Sequence, residues 1–367
     1  MNILLVTALA GRGGTENATL RLAVLLRKNG HHVTIASNIG SMAKDFSENG
    51  INLVEIDFYK GKFNCFLNFF ILLRHFIFND YDVIHSQMAR PVVFFWAASF
   101  LTRNGAVCWH SRGLWQKTYK WICPLFSLLK IYSIGNCKHE RDKLIRYGMN
   151  ESMVGFTYNA MPKIKYLDES FKPRRRIGDA LVVGTISRLE EDRKVDIAIK
   201  SVAAAIDLGV DIKLRVAGSG SELNKLKDLC SKLNVMDKVE FLGEISNTRC
   251  FYGSIDMLLS TAIALGDNGA GVGNNIIESG IHSLPVISFN ICGVSELIVD
   301  GQSGVCVNDQ NEIAYINEFV SFSKKSSEEL VAIGTNLHKI VTTKCSDQSI
   351  YETTMMNYNK AISASGG

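Results

Sequence analysis

The sequence lacks the cysteine patterns that mark disulfide-stapled and zinc-binding proteins. Its nine cysteines include no C-x-x-C pair, and its eight histidines do not fall at zinc-ligand spacing. An odd number of scattered cysteines, mostly in apolar surroundings, is typical of reduced and buried thiols. These absences favour a cytosolic protein and argue against a fold built on disulfides or on a zinc site.

We also expect no segment that would export the chain or anchor it in a membrane. The sequence enters an apolar strand at Asn2 to Thr7 with no basic region or cleavage site before it, so we expect no secretion signal. No run of about twenty apolar residues is free of charge, so we expect no membrane-spanning helix. We predict a cytoplasmic location. A peripheral position on the inner face of the cytoplasmic membrane is the alternative.

The formal net charge of +4 is unevenly distributed. Residues 1–165 hold 20 lysines and arginines against 10 aspartates and glutamates, whereas the rest of the chain holds 20 against 26. The basic first half predicts contact with something anionic, such as nucleic acid, phosphates or a membrane surface. A nucleic-acid role lacks any recognised binding motif, so we expect no nucleic-acid partner.

Length and patterning predict two α/β domains. The 367 residues exceed the usual size of one hydrophobic core, and short apolar runs alternate with helical patterns as in a parallel sheet. We predict a Rossmann-like domain at 1–165, a linker at 166–179 and a second Rossmann-like domain at 180–340. A C-terminal helix at 341–367 would pack back on the first domain and end in disorder from Ser363 to Gly367. Because open parallel sheets bind ligands at the carboxyl ends of their strands, the predicted site is a cleft between the domains.

The second domain carries an ordered series of motifs. They are Gly184 to Leu189, Arg193 to Asp196, Val216 to Gly220, Val239 to Gly243, Gly271 to Glu278, Leu284 to Ile287 and Gly293 to Ile298. With Gly13-Gly14-Thr15-Glu16 and the strand-end His85 and His110, this series resembles the retaining glycosyltransferases of family 4. That family has the GT-B fold, in which two Rossmann-like domains face each other across a cleft. The resemblance covers nearly the whole chain and is weakest over residues 57–78.

The resemblance implies a cationic donor site in the second domain. In the family an Arg and a Lys hold the donor diphosphate; here Arg188 and Arg193 occupy these places, with Lys194 as an alternative, and Gly218 joins the donor-binding set. A transferase without a metal needs fixed cations because the nucleoside diphosphate leaves with growing negative charge. A solvated charged loop is the alternative interpretation.

A glycine-rich turn before a helix completes the predicted donor site. Gly271, Val272 and Gly273 precede a helix that begins near Asn274, and glycines allow a phosphate or sugar to approach the backbone. The helix N-terminus offers free N–H groups and a favourable dipole. The resemblance implies that Glu278 accepts hydrogen bonds from the nucleotide ribose.

One position departs from the family pattern. The family has a second glutamate eight residues before the ribose-binding one, and this sequence has Ala270 there. In the family that carboxylate orients the donor sugar and stabilises the transition state, which a methyl group does not do. The sequence is compatible with an inactivated variant and with a naturally divergent member.

The first domain contributes candidates from strand ends and from a glycine loop. The resemblance implies that His110 reaches the donor sugar or its diphosphate, with a structural histidine as the alternative. Gly14 would approach the donor, and His85, Arg112, Gly13 and Gly14 would bind the acceptor. The glycine loop does not complete the G-x-G-x-x-G dinucleotide fingerprint, because Glu16 stands in the place of its last glycine.

A D-x-D sequence at Asp80-Tyr81-Asp82 has the spelling found in metal-dependent transferases. It lies just before a predicted strand and far from the donor motifs, so we interpret it as a strand-start cap. We predict no metal and no other cofactor, with the nucleotide sugar as a substrate.

The segment between Lys60 and Lys130 is rich in aromatic and basic residues. Core helices with a basic exposed face would explain this composition. A surface that docks on anionic lipid and brings the cleft to a lipid-linked acceptor would explain it equally well.

These features predict transfer of a hexose from a UDP- or GDP-sugar to a glycan acceptor with retention of configuration. The acceptor implied by the resemblance is a lipid-linked saccharide in bacterial surface-polysaccharide synthesis, such as that of O-antigen or capsule. Two alternatives stay open: a sugar-nucleotide-binding protein with little transferase activity, and a GT-B epimerase.

Overall fold

The computed structural model describes residues 1–9, 14–38, 40, 42–56, 62–161, 180–266 and 271–366, without the side chains of 8, 9 and 62–66. The chain forms two compact units: unit 1 contains Met1–Ala160 with Cys345–Gly367, and unit 2 contains Met161–Lys344. The predicted linker, Gly13 and Ala270 lie outside the described residues. Within the described part, no helix is both long and apolar enough to cross a membrane.

Unit 1 contains a seven-stranded sheet in the order β3-β2-β1-β4-β5-β6-β7, with every neighbouring pair parallel. Its inner strands are apolar runs because both faces of a parallel sheet are covered by helices; residues Ile3 to Val6 are all buried. The strands are β1 (Asn2–Leu9), β2 (His32–Asn38), β3 (Asn52–Glu55), β4 (Val83–Ser86), β5 (Ala106–Ser111), β6 (Tyr132–Gly135) and β7 (Val154–Phe156).

The helices of unit 1 cover the two faces of its sheet. They are α1 (Gly14–Lys28), α2 (Ala43–Glu48), α3 (Lys62–Phe78), α4 (Val92–Thr102), α5 (Gln116–Leu128) and α6 (Lys138–Arg146). Because crossovers between parallel strands are right-handed, α1 and α2 lie on one face and α3 to α6 on the other. The last helix of the chain, Asp347–Ser365, contacts β4 to β7 and α1, so it shares the face of α1.

Unit 2 contains a six-stranded parallel sheet in the order β10-β9-β8-β11-β12-β13. Its strands are β8 (Leu181–Ile186), β9 (Ile212–Ala217), β10 (Val239–Gly243), β11 (Met257–Ser260), β12 (Val286–Phe289) and β13 (Gly304–Val307). Its helices are α7 (Val195–Asp207), α8 (Leu223–Lys232), α9 (Thr248–Tyr252), α10 (Asn274–Ile281), α11 (Glu312–Ser323) and α12 (Ser327–Lys344). The last helix of the chain is therefore α13.

In each sheet the order of the strands reverses once, and a ligand fits at this reversal point. In unit 1 the order reverses between β1 and β4, and in unit 2 between β8 and β11. The loops after these strands diverge to opposite faces and leave a crevice at the carboxyl edge of the sheet. Most of the predicted site residues lie in or beside these loops.

The α/β class and the two parallel-sheet domains predicted from the sequence are confirmed. One detail differs at the C-terminus, where the sequence predicted disorder from Ser363 onward and helix α13 continues to Ser365. The helix persists because Ala361 is buried and Ile362 and Ala364 pack against the core of unit 1. Small and apolar residues at these positions allow the last turn to cover the sheet.

Candidate functional site

The loop after β8 brings cationic side chains to the reversal point of unit 2. Arg188 is exposed, and Arg193 is half-buried and forms an ion pair with Asp192, with 3.4 Å between Nη2 and Oδ2. Lys194 adopts a left-handed backbone (φ 48°) as the residue before α7. The predicted cations therefore share one short loop, as a diphosphate-binding site requires.

Two hydrogen bonds connect this loop to the segment that follows β11. The Thr261 hydroxyl donates to the carbonyl oxygen of Arg193 at 2.8 Å, and the Ile263 N–H donates to the carbonyl oxygen of Asp192 at 3.0 Å. One side-chain donor and one backbone donor thus hold together the loops on the two sides of the crevice. Neither Thr261 nor Ile263 belongs to a sequence motif, so these two contacts were not predicted.

Gly218 supports the same loop from the end of β9. Its φ is +128°, and a Cβ atom on it would lie 1.8 Å from the carbonyl oxygen of Ser187. The Leu189 N–H donates to the carbonyl oxygen of Ser219 at 2.8 Å. The structure therefore explains the glycine by close backbone packing, and its predicted contact with the donor stays a prediction.

The turn before α10 has the geometry of an anion site. Gly271 has a φ of +62°, and Gly273 is the N-cap of α10 and has no side chain to occupy the N–H groups of the first turn. Val272 is buried and anchors the turn to the core. An α-helix leaves its first N–H groups without intrahelical partners, and its dipole favours negative charge there.

Glu278 is the fifth residue of α10 and is 9% exposed. Its Oε2 accepts a hydrogen bond from the Tyr252 hydroxyl at 3.1 Å. The Tyr252 ring stacks on His282, and Nδ1 of His282 lies 2.8 Å from the carbonyl oxygen of Glu278. Tyr252 and His282 thus hold the carboxylate in one orientation, and the sequence motifs missed both.

In unit 1 the ends of β4 and β5 bring His85, His110 and Arg112 together. The two imidazole rings are parallel within 5°, and Nδ1 of His110 lies 3.3 Å from Nε2 of His85. Nδ1 of His85 lies 2.7 Å from the Tyr358 hydroxyl of α13. Arg112 donates from Nε and Nη2 to Oε1 of Gln87, at 2.9 and 2.7 Å.

Burial dominates the electrostatics of this cluster. Desolvation, and then the charge of Arg112, lower the pKa of His85 to about 3 and hold the pKa of His110 well below its usual value. Desolvation raises the pKa of Glu16 in the first turn of α1, and Arg112 opposes this rise. Both imidazoles are therefore neutral at physiological pH.

Gly14 is the first residue of α1 and is exposed.

A buried ion pair supports the strand end from α6. Nζ of Lys143 lies 2.6 Å from Oε2 of Glu140, with exposed side-chain fractions of 1% and 0%. Oε1 of Glu140 accepts hydrogen bonds from the hydroxyls of Ser111 and Tyr119. The Tyr119 oxygen also accepts from the Leu114 N–H at 2.9 Å. The pair therefore fixes the segment that carries Arg112.

The D-x-D sequence lies at the opposite edge of the sheet. Asp82 is next to the start of β4, and its Oδ2 accepts a hydrogen bond from the Asn2 N–H at 2.7 Å. This matches the strand-start interpretation of the sequence. Across the part of the chain that the structure describes, no three His, Cys, Asp or Glu side chains are grouped to hold a metal ion.

Two sequence families match consecutive parts of the chain. The family described as Glycosyltransferase Family 4 matches residues 12–161, and the family described as Glycosyl transferases group 1 matches residues 168–338. The capsular polysaccharide biosynthesis glycosyltransferase CapM of Staphylococcus aureus is 25% identical over 201 residues, which are 53% of this chain and 50% of that protein. The putative colanic acid biosynthesis glycosyltransferase WcaL of Escherichia coli is 22% identical over 44% of this chain and 41% of that protein. The matched part of this chain spans half or less of these relatives.

A solved structure shows the same fold over nearly the full chain. Anabaena Alr3699/HepE in complex with UDP and glucose has a TM-score of 0.80 and 17% identity, covering 97% of this chain and 99% of that one. Its complex with UDP-glucose also has a TM-score of 0.80, at 16% identity. The two family matches follow the order of the two parallel-sheet units, and the chain therefore belongs to glycosyltransferase family 4 and has the GT-B fold.

Proposed function

We propose that the protein transfers a hexose from a UDP- or GDP-sugar to a glycan acceptor in bacterial surface-polysaccharide synthesis. The observation that carries the proposal is the pairing, at the reversal point of unit 2, of the cationic loop after β8 with the glycine-capped helix α10. The loop after β8 offers fixed positive charge for a diphosphate, and helix α10 offers N–H groups and the buried carboxylate of Glu278. CapM and WcaL are named for polysaccharide biosynthesis, and HepE binds UDP and UDP-glucose.

The mechanism that fits these groups is transfer with retention. Arg188 and Arg193, together with the first turn of α10, stabilise the charge that develops on the leaving diphosphate. The acceptor hydroxyl attacks from the same face of the sugar as the diphosphate leaves, and its proton passes to a diphosphate oxygen. This step needs no protein nucleophile and no metal. A product of inverted anomeric configuration, read by NMR of the isolated glycoside, would contradict it.

Donor binding is the first test. We expect UDP-sugars or GDP-sugars to raise the melting temperature of the protein, because a ligand that binds only the folded state stabilises it. Glu278→Gln should weaken the affinity for the best nucleotide sugar about tenfold to a hundredfold, since hydrogen bonds to a charged group contribute about 1.5–3 kcal/mol. The measurement is a thermal-shift titration over a panel of nucleotide sugars, with calorimetry for the best ligand.

Glu318→Gln is the matched control for that titration. Glu318 is an exposed glutamate of α11 in the same unit, so the same substitution there should leave the affinity unchanged. If no nucleotide sugar shifts the melting temperature, or if the two variants bind equally well, the proposed donor site is wrong.

A second candidate is a sugar-nucleotide-binding protein with little transferase activity. The observation in its favour is Ala270, which replaces a family carboxylate beside the donor sugar. Both candidates share the donor site and differ in turnover. The substitution that separates them is Ala270→Glu.

We further propose that unit 1 docks on an anionic membrane surface to reach a lipid-linked acceptor. Helices α3, α4 and α5 share one face of the sheet and expose large apolar side chains: Phe70, Ile77, Phe78, Phe100, Leu101, Trp121 and Leu128. Basic side chains are exposed in the same region: Arg74, Arg103, Lys117, Lys120 and Lys130. Between residues 62 and 130 the sequence has eight lysines and arginines but only two acidic residues, which fits anionic lipid.

Flotation with liposomes tests this docking. We expect the protein to float with vesicles of phosphatidylglycerol and phosphatidylethanolamine at low salt, and to float less at high salt because screening weakens the attraction. Lys117→Gln with Lys120→Gln should lower partitioning about tenfold or more, at about 1 kcal/mol per basic residue near the surface.

The matched control is Lys225→Gln with Lys232→Gln, two exposed lysines on α8 of unit 2. This pair of substitutions changes the net charge equally and should leave partitioning unchanged. Failure to float at low salt, or equal losses in the two double variants, would remove the membrane proposal.

A further inference from the structure

A chain of buried polar groups runs from Arg112 to His110, and the direction of each hydrogen bond in it can be assigned. Arg112 is the starting point because a guanidinium only donates. It donates twice to one atom of the Gln87 side chain, so that atom is the amide oxygen Oε1. The amide nitrogen Nε2 of Gln87 must then face His85, at 3.2 Å from Nε2 of His85. Gln87 is 1% exposed, so bulk water does not compete for it.

The proton position on His85 follows from this orientation. An amide nitrogen is a donor, so Nε2 of His85 is the acceptor and carries no proton. The ring is neutral, because burial holds its pKa far below neutrality, and its single proton is therefore on Nδ1. From there it is donated to the Tyr358 oxygen at 2.7 Å. Tyr358 belongs to the C-terminal helix α13, so this helix helps to hold the proton on Nδ1 of His85.

The same reasoning extends to His110. Its Nδ1 lies 3.3 Å from the unprotonated Nε2 of His85, and two facing lone pairs would repel at this distance. Nδ1 of His110 therefore carries the proton, and its N–H shares the single lone pair of His85 Nε2 with the Gln87 amide. Nε2 of His110 is then left with a lone pair. The residue is 1% exposed, and no residue within the described ranges forms a hydrogen bond to this atom. A buried acceptor without a partner costs free energy, so it indicates a ligand that donates.

We propose that Gln87, oriented by Arg112, is a positioning residue that fixes the proton arrangement of the His85–His110 pair, so that Nε2 of His110 accepts a hydrogen bond from a sugar hydroxyl. This inference rests on the proposed function, since the hydroxyl belongs to a donor or acceptor sugar. The sequence left open whether His110 contacts the donor sugar or its diphosphate, and the proposal favours a sugar. The unprotonated Nε2 of a neutral imidazole accepts a hydrogen bond from a hydroxyl group. It has no proton to donate to a diphosphate oxygen.

The proton arrangement is testable without any assay of activity. Two-bond ¹H–¹⁵N correlation spectra of the full chain, labelled with ¹⁵N-histidine, distinguish a neutral ring protonated at Nδ1 from one protonated at Nε2. His85→Gln and His110→Gln assign the two signals. We expect both rings to be protonated at Nδ1 at neutral pH. A His110 ring protonated at Nε2 would overturn the proposal.

Two substitutions then test Gln87 itself. Gln87→Met removes the amide at similar volume, and Gln87→Glu replaces the donor by an acceptor. We expect the first to give mixed protonation of His85 and the second to move the His85 proton to Nε2, with a matching change at His110. Gln348→Met, at an exposed position of α13 in the same unit, is the control and should leave the spectra unchanged. Spectra of both Gln87 variants that match the unsubstituted protein would overturn the role of Gln87.

Kinetics supply the second readout. We expect Gln87→Met to lower kcat about tenfold while the KM for the donor changes by less than about threefold, because the donor contacts of unit 2 are intact. Loss of fold would instead change the spectra of all histidines together. If the proton arrangement is as assigned and no nucleotide sugar is turned over, the proposed function fails while the assignment of Gln87 stands.

Discussion

Ala270→Glu should raise kcat about a hundredfold to a thousandfold with the best donor, because one well-placed group that stabilises transition-state charge is worth about that factor. The substitution restores the carboxylate that glycosyltransferase family 4 has eight residues before the ribose-binding glutamate. It stands directly before Gly271, whose left-handed backbone begins the turn into α10. The measurement is steady-state release of nucleoside diphosphate with and without acceptor, using the nucleotide sugar selected by thermal shift.

Ala270→Gln is the matched control for this gain. Glutamine has the size and the carbonyl acceptor of glutamate but no negative charge, so it should recover much less of the turnover. The donor affinity should change little in either variant, since Glu278 and the cationic loop are unaltered. Turnover that stays negligible in Ala270→Glu, with the donor still bound, would favour the sugar-nucleotide-binding protein over the transferase.

The parts of the fold that the sequence predicted correctly depend on local signals. Strand β1 is a largely apolar run because parallel strands are covered on both faces, and α1 is an amphipathic segment that follows a glycine-rich sequence. Local periodicity and turn chemistry were sufficient for these elements. The order of the strands within each sheet, and therefore the reversal between β8 and β11, was not predicted from the sequence.

The partners of the site residues could not be predicted, because they depend on long-range contacts. Tyr358 is 273 residues from His85 in sequence and meets it only because α13 returns to the sheet of unit 1. Tyr252 reaches Glu278 from a short helix that carries no motif. Nothing in the order of residues signals either pairing.

Arg112 illustrates how the structure refines a residue identified from the sequence. The sequence predicts that it binds the acceptor, and that role stays a prediction. The structure shows its guanidinium donating to Gln87 and Asn159, and burial lowers its pKa to about 10. Its charge therefore acts first on its neighbours: it orients Gln87 and lowers the pKa values of both histidines.

Lys143→Met should destabilise unit 1 by about 3–5 kcal/mol, because removing one partner of a buried ion pair leaves the other charge buried and uncompensated. Glu140 would keep its hydrogen bonds from Ser111 and Tyr119 but lose the only cation at its Oε2 among the ion pairs of the described residues. The four tryptophans, Trp96, Trp109, Trp115 and Trp121, all belong to unit 1. Denaturant unfolding followed by tryptophan fluorescence therefore reports on this unit selectively.

Lys44→Met is the matched control for that experiment, because Lys44 lies in unit 1, on which the tryptophans report. Lys44 pairs with Glu48 on the same helix, α2, with 3.6 Å between Nζ and Oε1. Its side chain is 83% exposed, and substitutions at such surface positions usually change stability by less than about 0.5 kcal/mol. Since both changes replace lysine by methionine in a helix, helix propensity cancels. If Lys143→Met lowers the free energy of unfolding of unit 1 by no more than this surface value of about 0.5 kcal/mol, the Glu140–Lys143 pair does not hold the segment of Arg112 in place.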